Sequence, residues 1–340
     1  MDPLRLDRPA CFGVRHRPDT TGGHYESWFL RANHPSEPLA VWIRYTIFAA
    51  KGGTPVRGEL WAIWFDGRGA TTRIHAAKSE LPLSQCRFAP DHLDVTIGDA
   101  RLHDHGAGVH ASGDAQRDGT AIAWSLHAQG DAPPLLLLSR DRYATALPKA
   151  KALVGLPDCR IGGTVTIDGE PHVLDGWPGS VNHNWGSRHT DRYGWVQVIG
   201  FDEDPTAVLE SISARLRFGP LSTPWLTVAV LREGGREHRF DGIARSAFGR
   251  VTQAGLSLRC RVGNREGERL QLHAEAPEHA FVGLRYDNPP GGAKLCRNCK
   301  LATVSVVLEG DGRAPLRLHT ANRGALELVD DDLTAFPIAL

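Results

Sequence analysis

The chain has 340 residues, with 39 Lys+Arg against 39 Asp+Glu and a hydrophobic fraction of 41%. That length accommodates two domains of ordinary size, and the balanced charge argues against nucleic acid or an anionic membrane as the main partner, since both reward a basic surface. The N-terminal stretch MDPLRLDRPACFGVRHRP has no apolar signal region, and the longest aliphatic run, Leu135–Leu138, is too short to cross a bilayer. A cytoplasmic protein without an integral membrane segment is therefore expected.

The first extended segment is GGHYESWFLRAN, from Gly22 to Asn33. Alternation places Tyr25, Ser27, Phe29 and Arg31 on one face and His24, Glu26, Trp28 and Leu30 on the other. A carboxylate flanked by aromatics on an inward face loses water and its pKa rises, which would make Glu26 a neutral acid. The favoured alternative pairs Glu26 with Arg31 or Arg44, so that it only fixes the barrel end. In AVWIRYTIFAA (Ala40–Ala50), Trp42, Arg44, Thr46 and Phe48 share a face, while GELWAIWFD (Gly58–Asp66) reads as a strand buried on both sides. HLDVTIGDARL and TAIAWSLHAQ continue the strand pattern. Between them His103, His105 and His110 have an alternating spacing suited to a metal on one strand face, but no carboxylate or cysteine completes a set, so no metal is expected.

DRYATALPKAKALV (Asp141–Val154) is the best amphipathic helical pattern, and Pro148 interrupts it. The looser pattern at Pro148–Pro157 places a boundary between an N-terminal β-domain, residues 1–150, and a C-terminal one, residues 151–340. GGTVTIDGE then restarts the strands, with IDGE as a hairpin turn.

The segment GWPGSVNHNWGSRHTDRYGWVQ (Gly176–Gln197) holds three tryptophans, two histidines, two asparagines and two arginines in twenty-two residues. If Val181–Trp185 is extended, His183 and Trp185 share one side and Asn182 and Asn184 the other; Tyr193, Trp195 and Gln197 share a side of the next strand. An imidazole beside an electron-rich ring can exchange a proton and stabilise a cation. The plainer alternative is a structural histidine among core tryptophans. The expectation is one bend and two strand ends at the start of the second barrel, facing an inter-domain cavity, with Asn182, Asn184, Arg188 and Asp191 holding the bend.

YGWVQVIGFD, AVLESISARLRF, WLTVAVLREG, LSLRCRVGN, ERLQLHAEA, FVGLRYD, ATVSVVLEG and PLRLHT supply further strands, with LEGDGRAP as another hairpin turn. A strong turn signal at Tyr286–Gly292 precedes LCRNCKLATVSV. Lys300 there is either a cavity-rim charge or, more commonly for lysine, simply exposed. Of the six cysteines, Cys296 and Cys299 form the one close pair, and their position before a strand favours reduced thiols over zinc or redox chemistry. Many short strands with few helices mean an all-β chain of two stacked sandwich or barrel domains. Phosphate-loop, dinucleotide-binding, zinc-protease and serine-hydrolase motifs are all missing.

Taken in order, HYESWFLRAN, WIRYTI, GELWAIWFD, PKAKALVGLP, GGTVTIDGE, GWPGSVNHNWG, RYGWVQ and NCKLATV resemble the lipocalin-like superfamily of carotenoid 1,2-hydratases and AttH-type proteins, similar also to tocopherol-cyclase-like proteins and fungal Diels–Alderases. The resemblance covers roughly residues 22–305. It implies two lipocalin-like, calycin-type antiparallel β-barrel domains with an apolar cavity for an isoprenoid or other hydrophobic ligand. It matches the histidine-x-tryptophan pair of the hydratases at His183 and Trp185, and implies protonation of an isolated alkene followed by capture of the cation. The aspartate that follows a tyrosine in those enzymes is absent; Glu210 is the acid of the corresponding strand, AVLESISARL.

Protonating an alkene needs a neutral carboxylic acid in a dry pocket with aromatic walls. Glu210 or Glu26 would be that acid, Trp185, Trp195 and Trp28 the walls, and His183 a group that positions water or orients the acid. Tyr25, Arg31 and Trp42 from the first half, with Trp177, Asn184, Tyr193 and Lys300 from the second, complete the expected ligand contacts. The leading reading is a hydration, cyclisation or isomerisation of an isoprenoid or polyketide-like molecule without a cofactor. A non-catalytic carrier of a hydrophobic ligand is the alternative, and a third reading has the aromatics merely cementing the barrel junction.

Overall fold

Alternating apolar residues, β-branched runs and frequent Gly–Asp turns give strands almost throughout the computed structural model, which describes residues 7–19, 21–52, 56–310, 312 and 314–340. The all-β expectation holds. Two large antiparallel sheets account for nearly all strands, one of twelve and one of ten.

The first sheet is a run of hairpins from His24–Asn33 through Leu39–Ala49 and Val56–Asp66 to Arg73–Pro82, joined on its other side by Glu170–Gly186 and Ala150–Ile167. From there it continues through Thr120–Gln129 and Val109–Arg117, curling back toward its own beginning. At the near-closure, the Gln116 backbone N–H donates to Ser79 Oγ at 3.1 Å. Inside, the Tyr45 hydroxyl donates toward the carbonyls of Arg101 and Ser112 and accepts from Trp124 Nε1 at 2.7 Å. The barrel interior holds Trp28, Leu30, Val41, Ile43, Trp64 and their neighbours.

The second sheet pairs Arg192–Ile199 with both Val208–Arg215 and Leu316–Asp330, and the latter with Ala293–Glu309. Its core takes in Phe29, Trp42, Trp61, Ile63 and Phe65 from the first sheet. The strands His24–Asn33, Leu39–Ala49 and most of Val56–Asp66 are therefore buried on both faces, one toward each core. This is the physical meaning of the unbroken apolar character of Gly58–Asp66.

Sheet membership differs from the sequence expectation. The first sheet includes Ala150–Ile167 and Glu170–Gly186, so the change of sheet falls at residues 187–191, well past the boundary placed at 150/151. The helical pattern after Asp141 yields only Arg140–Ala144; Ala150 onward is strand, paired with Glu170–Gly186 in a long hairpin. The ladder hydrogen bonds of that hairpin outweigh a weak helical periodicity that Pro148 had already interrupted. Its turn is the expected IDGE, with Asp168 at φ 50° and Gly169 at φ 90°, the left-handed pair such a tight turn requires. The LEGDGRAP turn includes residues 311 and 313, which lie outside the described residues, while its flanking strands pair as expected.

A short helix, Arg8–Phe12, docks against the first barrel. Asp7 caps it by accepting from the Ala10 N–H at 3.2 Å. Phe12 packs over Gly155, where a side chain would stand 2.2 Å from its ring, and the Phe12 carbonyl accepts from Trp28 Nε1 at 2.8 Å.

Candidate functional site

A cavity of about 340 Å³ opens where the two sheets meet. Its walls follow from the alternation of the flanking strands. Tyr25, Ser27, Phe29 and Arg31 pair across the ladders with Phe48, Thr46, Arg44 and Trp42 on one side, and with Gly186, Asn184, Asn182 and Ser180 on the other. Residues directly opposite share a face, so this whole set is turned toward the second sheet. Of these, Tyr25, Phe29, Trp42, Arg44, Asn182 and Asn184 border the cavity. The second sheet contributes Tyr193, Trp195, Glu210 and Glu327, and Leu137, Leu153, Leu226 and Val228 give an aliphatic wall.

Glu210 is the carboxyl group that this environment perturbs upward. It is 2% exposed; Trp195 Nε1 donates to its Oε1 at 2.6 Å, and its Oε2 has no hydrogen-bond partner. Burial raises its pKa to about 7, against the opposing pull of Trp195, Gln197 and Arg31. Near neutral pH a large fraction of Glu210 is therefore an uncharged acid at the cavity wall.

Glu26 is the opposite case, and the expected rise in its pKa does not occur. Burial pushes it up, but the hydrogen bonds and electrostatic attraction of His183 and His24 outweigh that push and hold it at about 2. The backbone N–H groups of Arg15 and His16 also donate to it, at 2.7 and 2.8 Å. Nor are its partners Arg31 or Arg44: His183 Nε2 lies at 2.8 Å and His24 Nε2 at 2.9 Å. Glu26 is a structural carboxylate behind the cavity wall.

His183 and Trp185 do share a strand face, but it is the face turned away from the cavity, opposite Trp28 and Glu26. His183 borders the cavity from within its strand while its fully buried ring stacks on Trp28 at 4.9 Å and lies 4.7 Å from Trp185. Its Nδ1 donates to the Cys11 carbonyl at 2.6 Å, which leaves Nε2 to share a proton with Glu26. Both nitrogens are thus occupied, and burial lowers the pKa of the ring against the pull of Glu26. The assignment of Asn182 and Asn184 to the bend is likewise reversed. They belong to the cavity side of a continuous strand, and the bend itself is 187–191, where Arg188 does pair with Asp191.

The remaining expected contacts divide. Tyr25, Trp42, Asn184, Tyr193 and Trp195 border the cavity. Trp28 fills the first barrel, and Trp177 packs there beside Trp64 and His34 at 5.7 and 5.1 Å. Arg31 sits beneath the cavity, donating to Gln197 Oε1 at 2.5 Å and Asn33 Oδ1 at 2.7 Å; burial lowers its pKa to about 10. Gln197 in turn donates to Asn182 Oδ1 at 2.8 Å, so an amide chain links both sheets under the site. Lys300 is neither exposed nor one of the residues bordering the cavity: it is fully buried. Its Nζ bonds Glu327 at 2.8 Å and Asn298 at 2.7 Å, and lies 5.3 and 5.2 Å from the Trp42 and Trp195 rings.

Sequence reasoning missed Phe29, Arg44, His189, Tyr286 and Glu327 as wall residues. Arg44 and Phe29 were recoverable, since they share faces with Trp42 and Tyr25; Glu327 and Tyr286 carried no signal, because distant hairpins bring them in. His189 stacks on Tyr25 at 4.0 Å, and burial, followed by the charges of Arg44 and Lys294, holds its pKa at about 3. It is a neutral imidazole throughout the physiological range.

His103, His105 and His110 do approach one another, with ring centroids 4.2 to 5.8 Å apart. Among the described residues, however, no group of three or more His, Cys, Asp or Glu is arranged to hold a metal ion. Cys296 and Cys299 are free, buried thiols. Among the described residues no helix is long and apolar enough to cross a membrane.

No protein-family model matches the chain. The uncharacterized Mycobacterium tuberculosis protein Rv0493c is 23% identical over 292 residues, or 85% of this chain and 82% of that protein. In structure, the chain is similar to a Nitrosomonas europaea protein described as AttH, with a TM-score of 0.56 and 13% identity over 92% of this chain and 96% of that one. Kievitone hydratase from Nectria haematococca aligns with a TM-score of 0.52 and 12% identity over 96% and 98% of the two chains. CghA, crystallised with Sch210972, gives a TM-score of 0.52 and 14% identity over 95% of each. At such identities the likeness is one of fold: this chain has the all-β architecture shared by AttH, kievitone hydratase and CghA, the fold its sequence resembles.

Proposed function

We propose that the protein is an enzyme acting on a hydrophobic small molecule, isoprenoid or polyketide-like, in the cavity between the sheets, with Glu210 as the proton donor. The observation that carries this reading is the Glu210 carboxyl: buried at an apolar wall, with one oxygen held by Trp195 and the other unpartnered, and a pKa of about 7. Such a group is poised to give a proton and to take one back at neutral pH. The likeness in fold to kievitone hydratase supports a hydration, and CghA with Sch210972 supports a bound ligand.

In the proposed step the O–H bond of Glu210 breaks as a C–H bond forms at one alkene carbon. The other carbon is captured by water, by a second unsaturation of the same ligand, or by loss of a neighbouring proton. In every case one proton is released, from the captured water, from the carbon beside the new cation formed on ring closure, or from the neighbouring carbon, and it returns to the Glu210 carboxylate. These outcomes are hydration, cyclisation and isomerisation, and all use only this chain's acid, water and the ligand. The rings of Trp42 and Trp195 already lie beside cations, Lys300 for both and Arg44 for Trp42. A long-lived carbocation resting on them would be repelled, so protonation concerted with capture is the step this wall favours.

Native mass spectrometry of the purified protein, followed by extraction and incubation of the bound ligand with fresh enzyme, tests the proposal. Expected are a gain of one water or an isomer of equal mass from wild type, and unchanged ligand with Glu210→Gln. Unchanged ligand from wild type would leave the carrier reading, which the aliphatic wall supports equally well. Equal conversion by Glu210→Gln would remove Glu210 from the chemistry.

A further inference from the structure

Arg44 extends from Leu39–Ala49 into the cavity wall and is 5% exposed. Its Nη2 donates to Ser27 Oγ at 2.6 Å, its Nε has no partner, and among the described residues no carboxylate forms an ion pair with it. Other buried cations meet a carboxylate or several oxygen acceptors, as Lys151 does with the carbonyls of Thr145 and Pro148. Lys300 holds Glu327, Arg297 holds Asp330, and Arg31 directs its donors onto the amide oxygens of Gln197 and Asn33.

What surrounds Arg44 is aromatic. Its guanidinium lies 4.7 Å from the Tyr286 ring and 5.9 Å from those of Trp42 and Trp61. Cation–π contacts return only part of the hydration that a guanidinium loses on burial. Two further donors at the wall, Trp42 Nε1 and the Tyr286 hydroxyl, also meet no hydrogen-bond partner. The neighbouring His189 is neutral and supplies no negative charge. This end of the cavity therefore offers a cation and two donors, while Leu137, Leu153, Leu226 and Val228 line its aliphatic wall.

We propose that the ligand carries an anionic oxygen group, a carboxylate, enolate or phenolate, which seats against Arg44, with Trp42 Nε1 and the Tyr286 hydroxyl as neighbouring donors. The inference rests on the cavity being the ligand site and is independent of Glu210 acting as an acid. A guanidinium facing a carboxylate-like oxygen forms a charge-assisted, often two-pronged contact, so the group would fix which end of the ligand enters first.

The test compares 8-anilinonaphthalene-1-sulfonate with its uncharged parent, N-phenyl-1-naphthylamine, by fluorescence titration of the intact protein. The sulfonate is expected to bind wild type about tenfold more tightly or better, from one charge-assisted contact in a dry site. Arg44→Met is expected to remove that preference and to leave the uncharged probe within about twofold of its wild-type affinity. Equal binding of both probes to wild type, or equal weakening of both by Arg44→Met, would overturn the inference. If Arg44→Met does not fold, the wild-type comparison decides alone. Glu210→Gln is expected to keep the sulfonate preference, so a failed acid mechanism leaves this result standing. Failure of both probes to bind wild type would overturn both this inference and the cavity reading, and binding of the uncharged probe alone would overturn this inference.

Discussion

Replacing Glu210 with glutamine tests the strained carboxyl without knowledge of the substrate. Burial raises its pKa from 4.5 to about 7, a rise worth about 3 kcal/mol. Below pH 4.5 Glu210 is protonated in both folded and unfolded chains and contributes no penalty. Between 4.5 and 7 the unfolded chain releases the proton first, so stability falls as pH rises; above 7 the full penalty is present. Glu210→Gln keeps the shape and an oxygen for Trp195 Nε1 but removes the titration. Urea unfolding of both proteins at pH 4.5 and pH 8 is the assay, with the variant gaining about 3 kcal/mol on wild type between the two pH values. A stability difference independent of pH would refute the reasoning, because the site would then hold the carboxylate as readily as water does. The proposed activity shares this titration: turnover should fall as pH rises through about 7, where the acid loses its proton.

Glu26→Gln should behave inversely. Its folded pKa of about 2 stabilises the protein above pH 4.5, and the variant should lose about 3 kcal/mol at pH 7, a deficit that shrinks as pH falls from 4.5 toward 2 in the same urea measurement. Gly155→Ala places a methyl group against the Phe12 ring, and should cost about 1–3 kcal/mol by thermal unfolding while raising amide exchange in Arg8–Phe12. Tyr45→Phe removes the hydroxyl that accepts from Trp124 Nε1 inside the first barrel, and chemical denaturation should register about 1–3 kcal/mol of destabilisation for the orphaned indole N–H.

The strand faces were largely legible because the side-chain period of a strand is two wherever the strand runs. That rule paired Tyr25 with Phe29 and Arg31, Trp42 with Arg44, and His183 with Trp185, and each pairing stands. The same rule is silent about which face meets a ligand. His183 and Trp185 looked like the chemical face because histidine and tryptophan carry chemistry, yet the ladder with His24–Asn33 turns them toward Glu26 and Trp28 and gives the cavity to Asn182 and Asn184. The half-exposed strands Arg73–Pro82 and Val109–Arg117 were missed because their polar and small residues give little periodic signal.

The two glutamates divide what each level of information decides. Sequence by itself determined an all-β chain, many of its strands and turns, and the two candidate acids, because turn chemistry and alternation are local properties. Only the tertiary structure decided their charges. Both are almost fully buried, but Glu26 meets two imidazoles and two backbone N–H groups, whereas Glu210 meets one indole N–H and a cavity. Burial makes an ionised carboxyl costly, and partners gathered from distant strands determine whether that cost is offset. No spacing along a single chain records that outcome.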